Sequence, residues 1–318
     1  LFANNATKFG APGNRTSLKN MKSFNNTNKF NKYINSNSIK RIHTGSIWTE
    51  GPCYFMKSNK VIWSDIPNNR ILSYDFNKVQ IFRYPSNFSN GNCIDNEENL
   101  ITCEHGTRRV TKTDHKDNIS LICDEYKDKR LNSPNDICVH SNGAIFFTDP
   151  PYGIIDHDPT RTEGFPGKIM YGGCYVFKCY PPSRKLTAVV TDMDRPNGIA
   201  FSLDEKKLYI SNSGIEKYIR VYDVGENLNL SNPQEFAKTD DENTFDGLRI
   251  DEENNVWASC GKGIKCFAPN GETLGYLSLP EVVSNLNFGG KKGDIIFITA
   301  TSSLYMINLN LRGAKFIK

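Results

Sequence analysis

From residue 48 onward the chain alternates short apolar runs with turn residues. The runs Val61-Ile62-Trp63, Leu100-Ile101, Ile145-Phe146-Phe147, Leu208-Tyr209-Ile210, Val256-Trp257 and Ile295-Ile296-Phe297-Ile298 are rich in β-branched and aromatic residues. Each has strand length and is bounded by Gly, Asn, Asp or Ser, which predicts strands. Each run is preceded, 8–11 residues upstream, by a polar or glycine-bearing strand start. The six starts are Glu50-Gly51, Asn92, Asn135-Asp136, Asn197-Gly198, Asp246-Gly247 and Asn285-Leu286. Four units continue into a further strand: RILSYD, CYVFKCY, YIRVYDV and SLYMINL.

The starts are separated by 42, 43, 62, 49 and 39 residues, the length of a four-stranded propeller blade. Six units predict an all-β fold, a six-bladed β-propeller over residues 38–318. The long third interval carries the polar loop IIDHDPTRTEGFPGK. Open sheet edges are a liability, so the ring needs a closing strand. SIKRIHTG, residues 38–45, alternates apolar and polar positions just before the first blade. Ile39 to Thr44 is therefore expected to pair with the blade containing SLYMINL, with residues 1–34 dispensable to the fold.

Residues 1–37 show little periodicity and are expected to be a disordered or targeting leader. Residues 1–46 hold eight Lys/Arg and no Asp or Glu. Such an acid-free stretch resembles an organellar transit segment; as a plain tail it would leave the protein cytosolic. Removing it changes the charge picture. The formal net charge of +4 becomes −4 for the remainder, with 31 basic and 35 acidic residues. A basic nucleic-acid surface is not expected, and no apolar run is long enough for a transmembrane helix. Nine Cys without a C-x-x-C pair read as buried thiols rather than a disulfide or zinc framework.

In a propeller the innermost strands line a central channel, so the six starts converge. Four carry oxygen donors: Glu50, Asn135, Asn197 and Asp246. Two carboxylates and two amide carbonyls form a hard set suited to Ca²⁺, Mg²⁺ or Mn²⁺. Tight turns also select Asn, Asp and Gly, but Glu50 is not a turn residue. Serine-hydrolase, kinase, zinc-protease and dinucleotide fingerprints are missing from the sequence.

The stretches WTEGPCYF, WSDIPNNRILSYD, CEHGTRRVTKTD, NSPNDICVHSNGAIFFTDPPYG, RPNGIAFSLDEKKLYISNSG and FDGLRIDEENNVWAS resemble the senescence-marker-protein/gluconolactonase/luciferin-regenerating-enzyme family, also called regucalcin-like. The resemblance runs from about residue 38 to 309 in family order, with CEHGTRR and TDPPYG most similar to the gluconolactonase branch. It implies one divalent metal in the channel, Ca²⁺ first and Mg²⁺, Mn²⁺ or Zn²⁺ otherwise. It implies Glu50, Asn197 and Asp246 as ligands and Asn135 as a contact to metal or substrate. Ser133 stands where animal members place a sugar-holding arginine. The activity implied is hydrolysis of a sugar lactone. Alternatives are another ester class, aryl ester or organophosphate, in the same site, and a calcium-binding propeller without turnover. Opening a lactone needs an activated water and a proton acceptor. Asp246 is the candidate base, with His105 and Asp149 able to share the role, and Tyr152 a candidate substrate-pocket wall. Arg108 and Arg109 read as surface or interblade residues.

Overall fold

The computed structural model describes residues 26–34, 39–155, 159–239 and 243–316. Six four-stranded antiparallel sheets stand around one axis. Blade one runs Thr49–Phe55, Lys60–Asp65, Arg70–Tyr74 and Val79–Arg83; blade two runs Ser89–Ile94, Leu100–Glu104, Arg109–Thr113 and Ile119–Cys123. Blade three comprises Ile137–Val139, Ile145–Asp149, Cys174–Cys179 and Thr187–Met193, and blade four Pro196–Phe201, Lys207–Ser213, Lys217–Val224 and Leu230–Lys238. Blade five comprises Phe245–Ile250, Val256–Cys260, Gly263–Phe267 and Thr273–Ser278. Blade six takes Val283–Gly289, Ile295–Ala300 and Ser303–Asn308 and is completed on its outer edge by Lys40–Thr44. The closing strand pairs Lys40 with Met306 and Thr44 with Ser303, as expected from its alternation.

The apolar cores lie between blades. Phe146 and Val176 of blade three pack with Ile199, Leu208 and Ile210 of blade four. Trp63 and Leu72 of blade one pack with Phe297 and Leu304 of blade six, across the closure. Second strands are covered on both faces, so Val61 to Asp65 and Ile145 to Asp149 are buried throughout. Double coverage is why these strands read as apolar runs rather than as strict alternation.

Part of the expected leader is structured. Asn28–Tyr33 is a helix capped by Thr27, whose hydroxyl accepts from Phe30 N. Phe30 and Tyr33 are buried against Trp257, with ring centroids 5.7 and 6.4 Å away. The helix thus docks on blades five and six, and Ile34 bridges to Leu309. Two aromatics three residues apart are too short a pattern to announce this. Removing the segment that carries this helix is therefore expected to destabilise the fold, since losing a buried Phe ring costs about 3–5 kcal/mol. The acid-free residues 1–25 lie outside the described residues.

Candidate active site at the polar end of the channel

The innermost strands share one register. Just before each donor, the chain pairs with the end of the second strand: Thr49 with Asp65, Ser89 with Glu104, Pro196 with Asn212 and Phe245 with Cys260. The next residues are Glu50, Asn90, Asn197 and Asp246, and a bulge follows in each blade. Bulges re-aim side chains at strand ends. In blade two the position therefore belongs to Asn90, not to the expected Asn92. Asn92 is consumed internally: its amide donates to Gly51 O, Ser64 Oγ and Asn90 O and accepts from Thr102 Oγ1. In blade six the same register places Ser284, with Asn285 one residue further.

The glycines explain how donors from different blades meet. A Cβ on Gly51 would lie 2.1 Å from Asn90 O, one on Gly91 2.2 Å from Asn135 O, and one on Gly198 2.3 Å from Asp246 O. Each glycine lets its strand press against the donor residue of the next blade. Second-strand hydroxyls then latch the donors' carbonyls. Ser64 donates to Asn90 O (2.7 Å), Thr148 to Asn197 O (2.8 Å) and Ser211 to Asp246 O (2.6 Å).

Burial makes these donors electrostatically tense. Glu50 is buried and accepts from Gly51 N (2.8 Å) and Asn285 Nδ2 (3.1 Å). Its carboxyl is pushed up to about 8, by burial first and then by the neighbouring Asp136 charge. Asp246 is raised well above the ordinary carboxylate range by burial, then by Glu50, Asp136 and Glu163, with Arg161 opposing. Asp136 is itself satisfied, in an ion pair with Arg249 at 3.1 Å. The oxygens Asn90 Oδ1, Asn197 Oδ1 and Asp246 Oδ1 are buried without a hydrogen-bond partner among the described residues. Orphaned buried acceptors are uncommon and ask for an explanation. A hard cation, which takes oxygen ligands of mixed charge, is one. Among the described residues no group of three or more His, Cys, Asp or Glu is placed to hold a metal. The donor set here has two carboxylates, Glu50 and Asp246, and depends on amide oxygens for the rest.

The other expected residues fall at different distances from this cluster. Asn135 is buried in the ring, its N–H donating to Thr148 O and its carbonyl accepting from Gly91 N. Tyr152 is half-buried, with the Arg195 guanidinium 5.7 Å from its ring centroid. Its hydroxyl is pushed up to about 12, by burial first and then by the charge of Asp246. His105 is fully buried; Nδ1 lies 3.1 Å from Glu163 O and Nε2 3.3 Å from Asn90 Nδ2. Asp149 serves elsewhere: Oδ2 accepts from Asn132 N and from the Tyr171 hydroxyl. It matches Asp65, held by Arg70 and Asn68, and Glu104, held by Arg109 and Thr111. These three carboxylates stand at the ends of second strands; Asp149 Oδ1 has no partner among the described residues, and burial pushes its carboxyl up to about 8. Arg109 is the partner of Glu104, and Arg108 donates to Leu131 O.

The long loop of blade three contributes residues that pattern reasoning missed. Arg161 stacks 3.8 Å from the Trp48 ring centroid and pairs with Glu163 at 3.4 Å, while Phe165 meets Phe88 edge-on. The loop thus reaches blades one and two beside the donors.

A six-bladed propeller with an oxygen-lined polar end defines a class, and comparison with known proteins gives the family. Residues 48–302 match the family described as SMP-30/Gluconolactonase/LRE-like region, and the chain belongs to it. It is 33% identical over 304 residues to the gluconolactonase of Zymomonas mobilis, covering 87% of this chain and 83% of that one. The structure of a gluconolactonase from Xanthomonas campestris superposes with a TM-score of 0.83 at 31% identity, covering 89% of this chain and 93% of that one. A calcium-binding regucalcin from Agrobacterium tumefaciens shares the fold, with a TM-score of 0.70 at 14% identity over 85% and 92% of the two chains.

Proposed function

We propose that this protein hydrolyses a sugar lactone with one divalent cation, Ca²⁺ first, held by Glu50, Asn197 and Asp246, with Asn135 contacting cation or substrate. The gluconolactonase relatives support lactone hydrolysis. The observation that carries the site is the pair of buried, unpartnered oxygens on Asn197 and Asp246, in the same register as Glu50.

When bound, such a cation polarises an ester carbonyl and acidifies a water. The chain's own groups do the rest. Asp246 accepts a proton from the attacking water. The water oxygen bonds to the lactone carbonyl carbon. The ring C–O bond breaks, and the proton passes to the departing alkoxide, giving a hydroxy acid. Tyr152 and Arg195 form a wall beside Asp246 that orients sugar hydroxyls. Ser133 has no guanidinium to offer a sugar, and its hydroxyl is engaged, donating to Pro150 O at 2.6 Å and accepting from Gly153 N.

A pH-stat screen of sugar and aromatic lactones tests this, using metal-stripped protein reloaded with Ca²⁺, Mg²⁺, Mn²⁺ or Zn²⁺. Cation-dependent acid release from a sugar lactone is expected. Turnover of aryl esters or organophosphates alone would move the substrate class. Cation binding with no turnover would leave a calcium-binding propeller.

A further inference from the structure

We infer that Asn90 is a further oxygen donor to the same cation, and that His105 is the residue that points it there. The inference rests on the cation reading above. Asn90 is 3% exposed and fills blade two's copy of the position held by Glu50, Asn197 and Asp246. Its Oδ1 has the same orphaned state as the oxygens of Asn197 and Asp246. Its backbone is fixed from the preceding blade by the Ser64 hydroxyl and the close approach of Gly51.

Hydrogen-bond logic sets the orientation of its amide. The Glu163 carbonyl can only accept, so His105 Nδ1 must carry the proton it donates across 3.1 Å. In the neutral ring Nε2 is then the acceptor and takes a proton from the Asn90 amide nitrogen at 3.3 Å. With its amide nitrogen turned to His105, Asn90 holds its oxygen on the opposite side of the carboxamide, the side without a hydrogen-bond partner. Histidine partners of this kind act through the group they orient, and removing such a partner weakens metal affinity by about 10–100-fold. Glu163 links this device to the long loop of blade three, whose Arg161 rests on Trp48.

The test is calorimetric titration of metal-stripped protein with CaCl₂, after thermal melts confirm folding. Wild type is expected to bind one equivalent. Asn90→Ala is expected to bind about tenfold more weakly or worse. Asn90→Asp keeps an oxygen and adds charge, so it should bind at least as tightly as wild type. His105→Phe removes the acceptor and should weaken binding, while His105→Gln, whose carbonyl accepts from the Asn90 amide, should recover most of it. In the Asn90→Ala background, His105→Phe should cause no further loss. Wild-type affinity in Asn90→Ala overturns the inference and leaves the cation reading standing; no binding by wild type overturns both. If Asn90→Ala does not fold, Asn90→Asp decides, and weaker binding by that variant overturns the inference.

Discussion

The two ends of the central channel are built from the same six strands, yet they hold opposite chemistry. At one end stand Glu50, Asn90, Asn197 and Asp246. Three residues further along those strands, about 10 Å away, stand Cys53, Cys93, Ala200 and Arg249. The second end lines a mainly apolar cavity of about 110 Å³, to which the segment Gly313–Phe316 also contributes. There Phe316 packs 6.1 Å from Tyr54, and Lys315 Nζ reaches Cys93 Sγ at 3.5 Å. All nine cysteines are free and buried, as the sequence suggests. Burial raises the Cys53 thiol and the Asp246 carboxyl alike. A thiol pushed up simply stays neutral. A cluster of carboxylates must bind protons or a cation, so the polar end gives up stability that ligand binding can return.

The largest expected effect comes from breaking the polar end at its most loaded residue. Asp246→Asn keeps an oxygen for a cation but removes both a charge and the proton acceptor. Turnover should fall about 10²–10⁴-fold, with cation binding weakened to a lesser degree. Calorimetry run beside lactonase kinetics separates the two losses. Near wild-type turnover would falsify the assignment of Asp246 as base.

Glu50→Gln should expose the trade-off directly. In the metal-free protein the Glu50 carboxyl sits at about 8, against an ordinary 4.5. A raised carboxyl contributes stability that is fully present below its unfolded value and lost as pH rises through its folded value. Wild-type apo protein should therefore lose stability between about pH 4.5 and pH 8, at most about 5 kcal/mol from this group. Metal-free Glu50→Gln should lack that slope and melt higher than wild type at pH 8, the two converging near pH 4. Added Ca²⁺ should raise the melting temperature of wild type and hardly that of the variant. If apo Glu50→Gln melts lower at pH 8, the polar end is not strained as described.

Much of this comparison was legible in the sequence, because blade repeats impose their spacing on it. Glu50, Asn197 and Asp246 each precede a glycine, and that dipeptide has a steric cause in the approach of the next blade. The same dipeptide, Asn90-Gly91, lies within SNGNC, two residues from the Asn92 taken as the strand start. The bulge between Ser89 and Asn92 hides which of the two continues the register, and the acid-or-amide-then-glycine pattern was the signal that would have found Asn90. A bulge in blade six likewise separates Ser284 from Asn285. The partners of Asp149 were not legible, because a strand-end carboxylate looks the same in sequence whether it faces a channel or clamps a turn. The contacts of Arg161 and Glu163 arise from a loop that crosses between blades, and nothing periodic in the chain records where a loop lands.

The smallest effects should distinguish the ends most sharply. Thr148→Val removes one hydroxyl at the polar end, where it donates to Asn197 O and accepts from Asp136 N at 3.1 Å. Shape is kept, so stability should fall by only about 1–2 kcal/mol. The latch on the donor carbonyl is lost, however, and turnover should drop several-fold. Cys138→Ala removes one buried sulfur at the apolar end, where the residue is 7% exposed. It should cost about 1 kcal/mol and leave kcat and KM unchanged, because no donor in the polar register leans on that side chain. Urea denaturation paired with steady-state kinetics reads both quantities for both variants. Equal stability losses with unequal turnover would place function at one end of shared strands. A turnover defect in Cys138→Ala would mean instead that the two ends are mechanically coupled, and the contrast between them would have to be given up.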